Sequence, residues 1–438
     1  MGRRPAGPSE ARDSPPVPHR RAGDDAELVH RILDFALRAG GVMLSSGAST
    51  IDVESTIVDL APACGLDGCE VDVTFTSMTA SCVGSRGAEP VTTLQVVRRR
   101  TVDYARLAGV YELRLDMVAG RITPEAAFAR LDALLGSSRR RRDVVLLSWA
   151  GMAAAFTLLL GGAVVVAAVA FASTAVVYRV NLTLSRRGIP DFYLSALGAS
   201  VATGFAMLLT ALKAPVVASL VVAGGIMVLV PGYALVASVQ DALTGFPISG
   251  GARGLEVLLT ATGIITGVAV TLDASASVGL PVHLYSVALP PIVRAPVQIA
   301  AAGVAASLYG AATSVPLRSL LAAGATGASG WGCYLALRHA GASLILGTAV
   351  AAVVVGGIGS VVAARRRTHP YVLIVPGIMP LVPGLTIYQG MLQLFNGSGG
   401  GPATLLLALG MGLAIAAGVT LGTTAVRPLR RVPGPLRR

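Results

Sequence analysis

Two stretches of this chain run without formal charge for longer than one helix can span. Residues 144–178 are 35 consecutive residues lacking Asp, Glu, Lys and Arg, and residues 368–426 are 59. A membrane-crossing helix needs about 20 apolar residues, so each stretch holds two crossings. Inside lipid every backbone N–H and C=O must be satisfied within the protein, which leaves helices or closed barrels. Unbroken apolar runs, rather than alternation, select helices. The same reading along the chain places ten spans, near 144–160, 163–180, 192–212, 215–240, 255–274, 286–308, 317–336, 341–363, 371–394 and 403–425.

Charge divides the chain in two. Residues 1–143 hold 19 Arg against 19 Asp plus Glu, whereas residues 144–438 hold 16 basic residues and four acidic ones. The net charge of +12 therefore belongs to the apolar part. A basic chain often binds nucleic acid, but here the bases sit between apolar runs, so no nucleic-acid partner is expected. With the N-terminus inside, 13 basic residues fall on the inner side, including Arg179, Arg253, Arg318, Arg365 and the tail arginines. The outer side keeps Lys213 and Arg338, with Arg294 near it. The positive-inside rule then puts both termini in the cytoplasm of a plasma (inner) membrane. The N-terminus has no apolar secretory segment.

Residues 1–23, rich in Pro and Arg, read as a disordered tail. Residues 24–136 read as a small cytoplasmic α+β domain. Ile32, Leu33, Ala36 and Leu37 recur at helical spacing. A second helix is expected after Thr50 as N-cap. Strand alternation runs through 71–76, with further strands at 79–84 and 91–97. Helices are expected over 102–119 and 124–135, the second opened by Thr123-Pro124. The four cysteines, Cys64, Cys69, Cys82 and Cys333, form no metal-ligand spacing. They are expected as small buried thiols, with a Cys64–Cys69 pair as the alternative. No cofactor and no metal is expected. Asp52, Glu54 and Asp72 lack a partner base, and no nucleotide loop or nucleophile elbow occurs. Residues 426–438 form a basic cytoplasmic tail.

An octamer repeats. Gly225-Ile-Met-Val-Leu-Val-Pro-Gly232 returns as Gly377-Ile-Met-Pro-Leu-Val-Pro-Gly384, seven of eight positions matching at an offset of 152. Ala150-Gly151 and Ala302-Gly303 share that offset, as do Gly245 and Gly397. The membrane region is thus expected as two five-span repeats, 144–274 and 286–425. Because five is odd, the second is inverted, a recurrent build of secondary transporters. Proline lacks the backbone donor and clashes with the preceding turn. Spans four and nine are therefore expected to break near Pro231-Gly232 and between Pro376-Gly377 and Pro383-Gly384. Broken helix ends offer partial charges of both signs to a zwitterion. The candidate substrate residues are Gly225, Pro231, Gly232, Pro376, Gly377, Pro380, Pro383, Gly384, Tyr388 and Gln389. Tyr388 and Gln389 could bond a substrate or satisfy freed backbone.

Charges within spans cost about 2.5–3.5 kcal/mol at the centre on the insertion scale, so each needs a reason. Asp241 and Asp273 are the candidate proton-linked carboxylates. Asp191, Glu256, His283 and His369 are expected at the membrane interface.

The chain resembles the threonine/serine exporter family in its fused form. The matching segment of the soluble domain is Ser46-Gly47-Ala48-Ser49-Thr50-Ile51-Asp52-Val53-Glu54-Ser55-Thr56, continuing through Gly65-Leu66 and residues 71–76. Ser49 stands where the family pattern has an acid, and Phe75 where proline is common. In the membrane part the match is Pro376-Gly-Ile-Met-Pro-Leu-Val-Pro-Gly384, running on to Tyr388-Gln389-Gly390. The resemblance implies proton-driven export of L-threonine and L-serine from the bacterial cytoplasm, with oligomerisation left open. Related two-chain members are associated with dicarboxylate export, which is the alternative. A membrane-anchored enzyme acting through residues 24–136 is the alternative of another class.

Overall fold

In the computed structural model the described residues are 26–83, 90–98, 101–137, 140–214, 217–280, 294–395, 397 and 399–426. The tail 1–23, His283, the start of span six and the C-terminal arginines lie outside them.

The chain opens with α1 (Ala26–Ser45) and α2 (Thr50–Ala63), then β1 (Cys69–Val73), β2 (Ser77–Cys82) and β3 (Val91–Val96), then α3 (Tyr104–Val118) and α4 (Pro124–Gly136). The strands form an antiparallel sheet in the order β1-β2-β3. Helix α1 lies across it with Leu33, Leu37 and Met43 fully buried against Ile57, Met78 and Leu107. The N-cap of α2 is Ser49, not Thr50. Ser49 is extended and its side chain accepts the Asp52 N–H, while Thr50 is already helical; a cap residue must sit outside helical dihedrals to aim its oxygen at the free N–H groups. Pro124 opens α4 as expected, with Thr123 as the cap.

The expectation of four thiols is overturned. Cys69 and Cys82 form a disulfide, and the free cysteines are Cys64 and Cys333. The β1–β2 register sets Cys69 directly opposite Cys82, with Cα atoms 4.3 Å apart. Sequence spacing does not reveal a cross-strand partner 13 residues away.

The membrane part follows as α5 (Arg142–Leu159), α6 (Val164–Arg186), α7 (Asp191–Ala211), α8 (Ala218–Ile226), α9 (Gly232–Leu243) and α10 (Pro247–Ser277). It continues as α11 (Ala295–Ala312), α12 (Leu317–His339), α13 (Leu344–Arg365), α14 (Tyr371–Ile378), a 3₁₀ turn (Met379–Leu381), α15 (Gly384–Phe395) and α16 (Gly401–Ala425). Among the described residues seven helices are long and apolar enough to cross a membrane, or eight if the bent pair Tyr371–Leu381 and Gly384–Leu394 is one span. The other two places marked in the sequence hold α12 and the short pair α8 and α9. Many large side chains point outward, such as Leu321, 85% exposed, as lipid-facing surface requires.

Helix contacts in the two halves correspond. α5 packs on α6 as α11 packs on α12, α7 on α10 as α13 on α16, and α9 on α10 as α15 on α16. Small residues allow the closest of these approaches. A Cβ on Gly267 of α10 would lie 2.0 Å from the Ala196 carbonyl oxygen of α7, and one on Gly422 of α16 would lie 2.3 Å from that of Val353 in α13.

The soluble domain is fused to the helix ends. One apolar cluster runs from Leu33 and Leu107 through Val315 and Tyr309 to Met152 and Met379. Polar ties add to it: the Tyr104 N–H donates to the Thr313 carbonyl at 3.0 Å, and Arg140 donates to the carbonyls of Ala311 and Val315 at 2.8 and 3.1 Å. Arg318 pairs with Glu112 and Arg367 with Asp116. This end of the bundle is called near, and the other far.

Candidate functional site

The two octamers break their helices in the same way. Helix α8 stops at Ile226, and after Pro231 the chain restarts as α9, with the Gly232 N–H donating back to the Val230 carbonyl at 2.8 Å. Helix α14 stops at Ile378, and after Pro383 the chain restarts as α15, with the Gly384 N–H donating to the Val382 carbonyl at 2.7 Å. The segments on either side of this second break are bent by 42°. Each restart leaves first-turn N–H groups without helical partners inside the bundle. The breaks touch one another. Gly232 lies against Val382, and Gly384 against Met227 and Val230.

A cavity opens on each side of this crossing. The near cavity, about 180 Å³, is lined by Trp149, Pro231, Gly232, Tyr233, Tyr309 and Met379. The far cavity, about 290 Å³, is lined by Trp331, Tyr334, Arg338, Pro383, Thr386 and Gln389, with Pro380 beside them. Met227 lines both, so it stands in the wall between them.

The candidate residues divide accordingly. Pro231 and Gly232 face the near cavity, and Pro380, Pro383 and Gln389 the far one. Gly384 sits in the crossing. Gly225 packs against Ala202 and Ser173, and Gly377 against Thr326 and Val355, so both serve helix packing. Pro376 is buried within α14. Tyr388 points away from Gln389, into a small separate void with Ile226 and Ile265, since adjacent helical residues do not share a face. Asp273 is exposed on α10 and lines none of these cavities.

Asp241 is fully buried near the end of α9, its carboxylate 3.1 Å from the Arg253 guanidinium of α10. Its other oxygen accepts the backbone N–H of Thr50 at 3.2 Å. Thr50 is the first residue of α2, so the soluble domain's helix N-terminus faces a membrane-domain carboxylate, the favourable sign for a helix dipole. Residues 46–50 are held elsewhere too. The Tyr233 hydroxyl, one residue beyond the first break, donates to the Gly47 carbonyl. Asp52 lies 3.9 Å from His369 Nε2, and Gln240 donates to the Tyr371 hydroxyl at 2.5 Å. The Arg253 guanidinium lies 5.9 Å from the Phe75 ring centroid. His369, expected at the membrane interface, stands just before α14 and is 3% exposed, its ring edge-on to that of Tyr111 in α3. The loop Ser46-Gly47-Ala48-Ser49-Thr50 thus sits between α9 and the start of α14, beside the near cavity.

Trp331, Tyr334 and Arg338 line the far cavity and Tyr233 the near one, and none of the four is among the candidate residues read from the sequence. The first three fall at i, i+3 and i+7 of α12, one helical face, a spacing that any packed helix face shares and that does not by itself mark a cavity. Among the described residues no group of three or more His, Cys, Asp or Glu could hold a metal ion.

The "Threonine/Serine exporter, ThrE" family model matches residues 298–425, and a companion threonine/serine exporter model matches residues 34–274. The chain belongs to the threonine/serine exporter family. It is 32% identical over 436 residues to a protein of Mycobacterium tuberculosis named as a threonine/serine exporter, covering 96% of this chain and 82% of that protein. It is also 32% identical over 419 residues to the threonine/serine exporter of Corynebacterium glutamicum, covering 93% of this chain and 85% of that one. No solved structure matches. As a member of this family the chain is a multi-pass membrane transporter of the amino-acid exporter kind, and not an enzyme. The family's Ser-Gly-Ala segment is the loop seated beside the near cavity, and its Pro-Leu-Val-Pro-Gly segment is the second break.

Proposed function

We propose that this exporter moves L-threonine and L-serine out of the bacterial cytoplasm, driven by the proton motive force, by alternating access around the two broken helices. The carrying observation is the pair of cavities set back to back across the crossing, with Met227 in the wall between them. A wall of one packed layer is what a rocking of one half against the other can open on alternate sides.

The matched helix contacts of the two halves, with the repeated octamer, support an inverted five-helix repeat. The repeats differ at one informative place. Where Arg253 meets Asp241 in the first half, Thr404 donates to Gln393 in the second, at 2.6 Å; Gln393 is the 152-offset counterpart of Asp241. The ionic version stands at the near end, under the soluble domain. We read residues 46–50 as the near-side seal and Asp241 as the proton-linked carboxylate, because protonating Asp241 would weaken its hold on both Arg253 and Thr50. Positive-inside charge supports a cytoplasmic near end. A potential of 100 mV supplies about 2.3 kcal/mol per charge, enough for roughly fifty-fold accumulation with one proton per substrate.

Proteoliposomes loaded with labelled threonine and serine, under an imposed pH gradient, test this reading. Gradient-dependent efflux should be lost in the Pro231→Ala plus Pro383→Ala variant. Efflux of succinate with none of either amino acid would replace the substrate with a dicarboxylate. Tyr233→Phe removes the bond to Gly47 and should raise efflux in the absence of a gradient; unchanged leak would remove the seal.

A further inference from the structure

The far cavity carries chemistry that the broken helices do not supply. Trp331 of α12 lines it and is 5% exposed, yet its indole N–H has no hydrogen-bond partner among the described residues. A buried donor without an acceptor forfeits its hydration, and proteins rarely leave one so. Tyr334 lies one turn further along the same face, its ring centroid 5.1 Å from that of Trp331. Arg338 follows one turn beyond, exposed at the end of α12. Arg338 donates through Nη1 to the Ala342 carbonyl, which holds the side chain beside the opening. Among the described residues it is the one charged residue lining the far cavity. Gly347 of α13 faces both Tyr334 and Arg338, with room for a Cβ 3.5 Å from the Tyr334 ring.

We propose that the far cavity is an exit-side binding site for the α-carboxylate of the transported amino acid, with Trp331 and Arg338 as its anchors. This rests on the export reading above. The indole N–H is closed into the cavity wall in this conformation, and a turn of the ring brings it to a carboxylate oxygen, while the guanidinium draws the carboxylate toward the opening. An N–H bond to an ionised acceptor is stronger than one to a neutral acceptor, so the site favours the carboxylate over an amide of the same shape. At about 290 Å³ the cavity suits a small ligand. Its walls of Leu, Met and Phe exclude long charged side chains.

The chain has two tryptophans, so Trp149→Phe leaves Trp331 as the sole reporter. The full-length W149F protein in nanodiscs would be titrated with L-threonine and with L-threoninamide, which lacks the carboxylate. The expected result is a saturable change in Trp331 emission with threonine, and about tenfold weaker response to the amide, one hydrogen bond to a charged group. In the otherwise native protein, Trp331→Phe should raise the threonine concentration for half-maximal efflux about tenfold. Arg338→Gln should weaken binding more than Arg338→Lys, which keeps the charge. Equal responses to threonine and its amide would overturn the site. So would an unchanged half-maximal threonine concentration for efflux in the Trp331→Phe protein. Absence of threonine efflux from the wild-type protein would instead overturn the export reading itself.

Discussion

Gly232 and Val382 occupy the point where the two broken helices cross: a Cβ on Gly232 would lie 1.8 Å from Val382 Cγ1. No side chain of any kind fits there while Val382 keeps its place. Gly232→Ala should therefore destabilise the protein by at least the ~1–3 kcal/mol typical of overpacking and abolish export. The double variant Gly232→Ala with Val382→Ala removes the clashing methyl groups and should recover much of the thermal stability. Thermal unfolding in detergent reads both, and a double variant no better than the single one would show that the crossing is not the constraint.

Asp241 and Arg253 form a buried pair, with side chains 1% and 5% exposed. Removing one partner leaves the other charge buried, at a cost of about 3–5 kcal/mol. Asp241→Asn should thus lower stability sharply, as should Arg253→Met alone. The pair of changes together should cost less than their sum, because neither charge is then stranded. In vesicles, Asp241→Asn should also abolish gradient-driven efflux while leaving threonine exchange measurable. Retained gradient drive would exclude Asp241 as the proton carrier.

Asp116 ties the soluble domain to the membrane domain through Arg367, at 2.7 Å. Burial acts to raise its carboxyl, but hydrogen bonds from Arg130, Arg121 and Arg367 outweigh this and hold it at about 2. A carboxyl depressed in the folded state stabilises it above the ordinary value of 3.8, and that contribution is lost as pH falls toward 2. The stability of the folded α1–α4 unit should be constant from neutral pH down to about 4 and fall below it. Limited proteolysis of α3 across this range reads the change, and Arg367→Gln, which removes one of the three donors, should make it smaller.

Cys64 and Cys333 are the free thiols, and Cys69 and Cys82 are joined. Burial, with a smaller contribution from Glu125, pushes the Cys64 thiol up to about 11. Mass spectrometry after denaturing alkylation should find two labelled cysteines without reduction and four after it. In the native protein Cys64 should alkylate slowly at pH 8, since the thiolate is the reacting form. Cys69→Ser with Cys82→Ser should leave export intact, because the β1–β2 ladder pairs five residues without the bond.

Much of the fold was legible in local pattern. Ile32, Leu33 and Leu37 marked α1 by spacing, and Thr123-Pro124 marked the start of α4. Pro231-Gly232 and Pro383-Gly384 marked both helix breaks, because a missing N–H acts on its own helix wherever that helix is placed. The cap of α2 was misread by one residue, since Ser49 and Thr50 are both good caps and only the backbone dihedrals choose between them. Of the candidate site, the residues next to proline were visible and those of α12 were not. Trp331, Tyr334 and Arg338 have ordinary spacing for a packed helix face, and only the neighbours across the cavity make that face a lining.

The sequence by itself determined that this chain crosses a membrane many times, that it repeats an octamer at an offset of 152, and that a small mixed domain precedes the crossings. Those properties follow from hydropathy, helix chemistry and identity between segments, which act within short windows. The tertiary structure alone decided that Cys69 meets Cys82, that Asp241 accepts the Thr50 N–H, that Gly232 rests on Val382 and that Met227 divides two cavities. Each joins residues brought together by strand register or helix crossing, and no local pattern encodes which distant side chain a packed surface will meet.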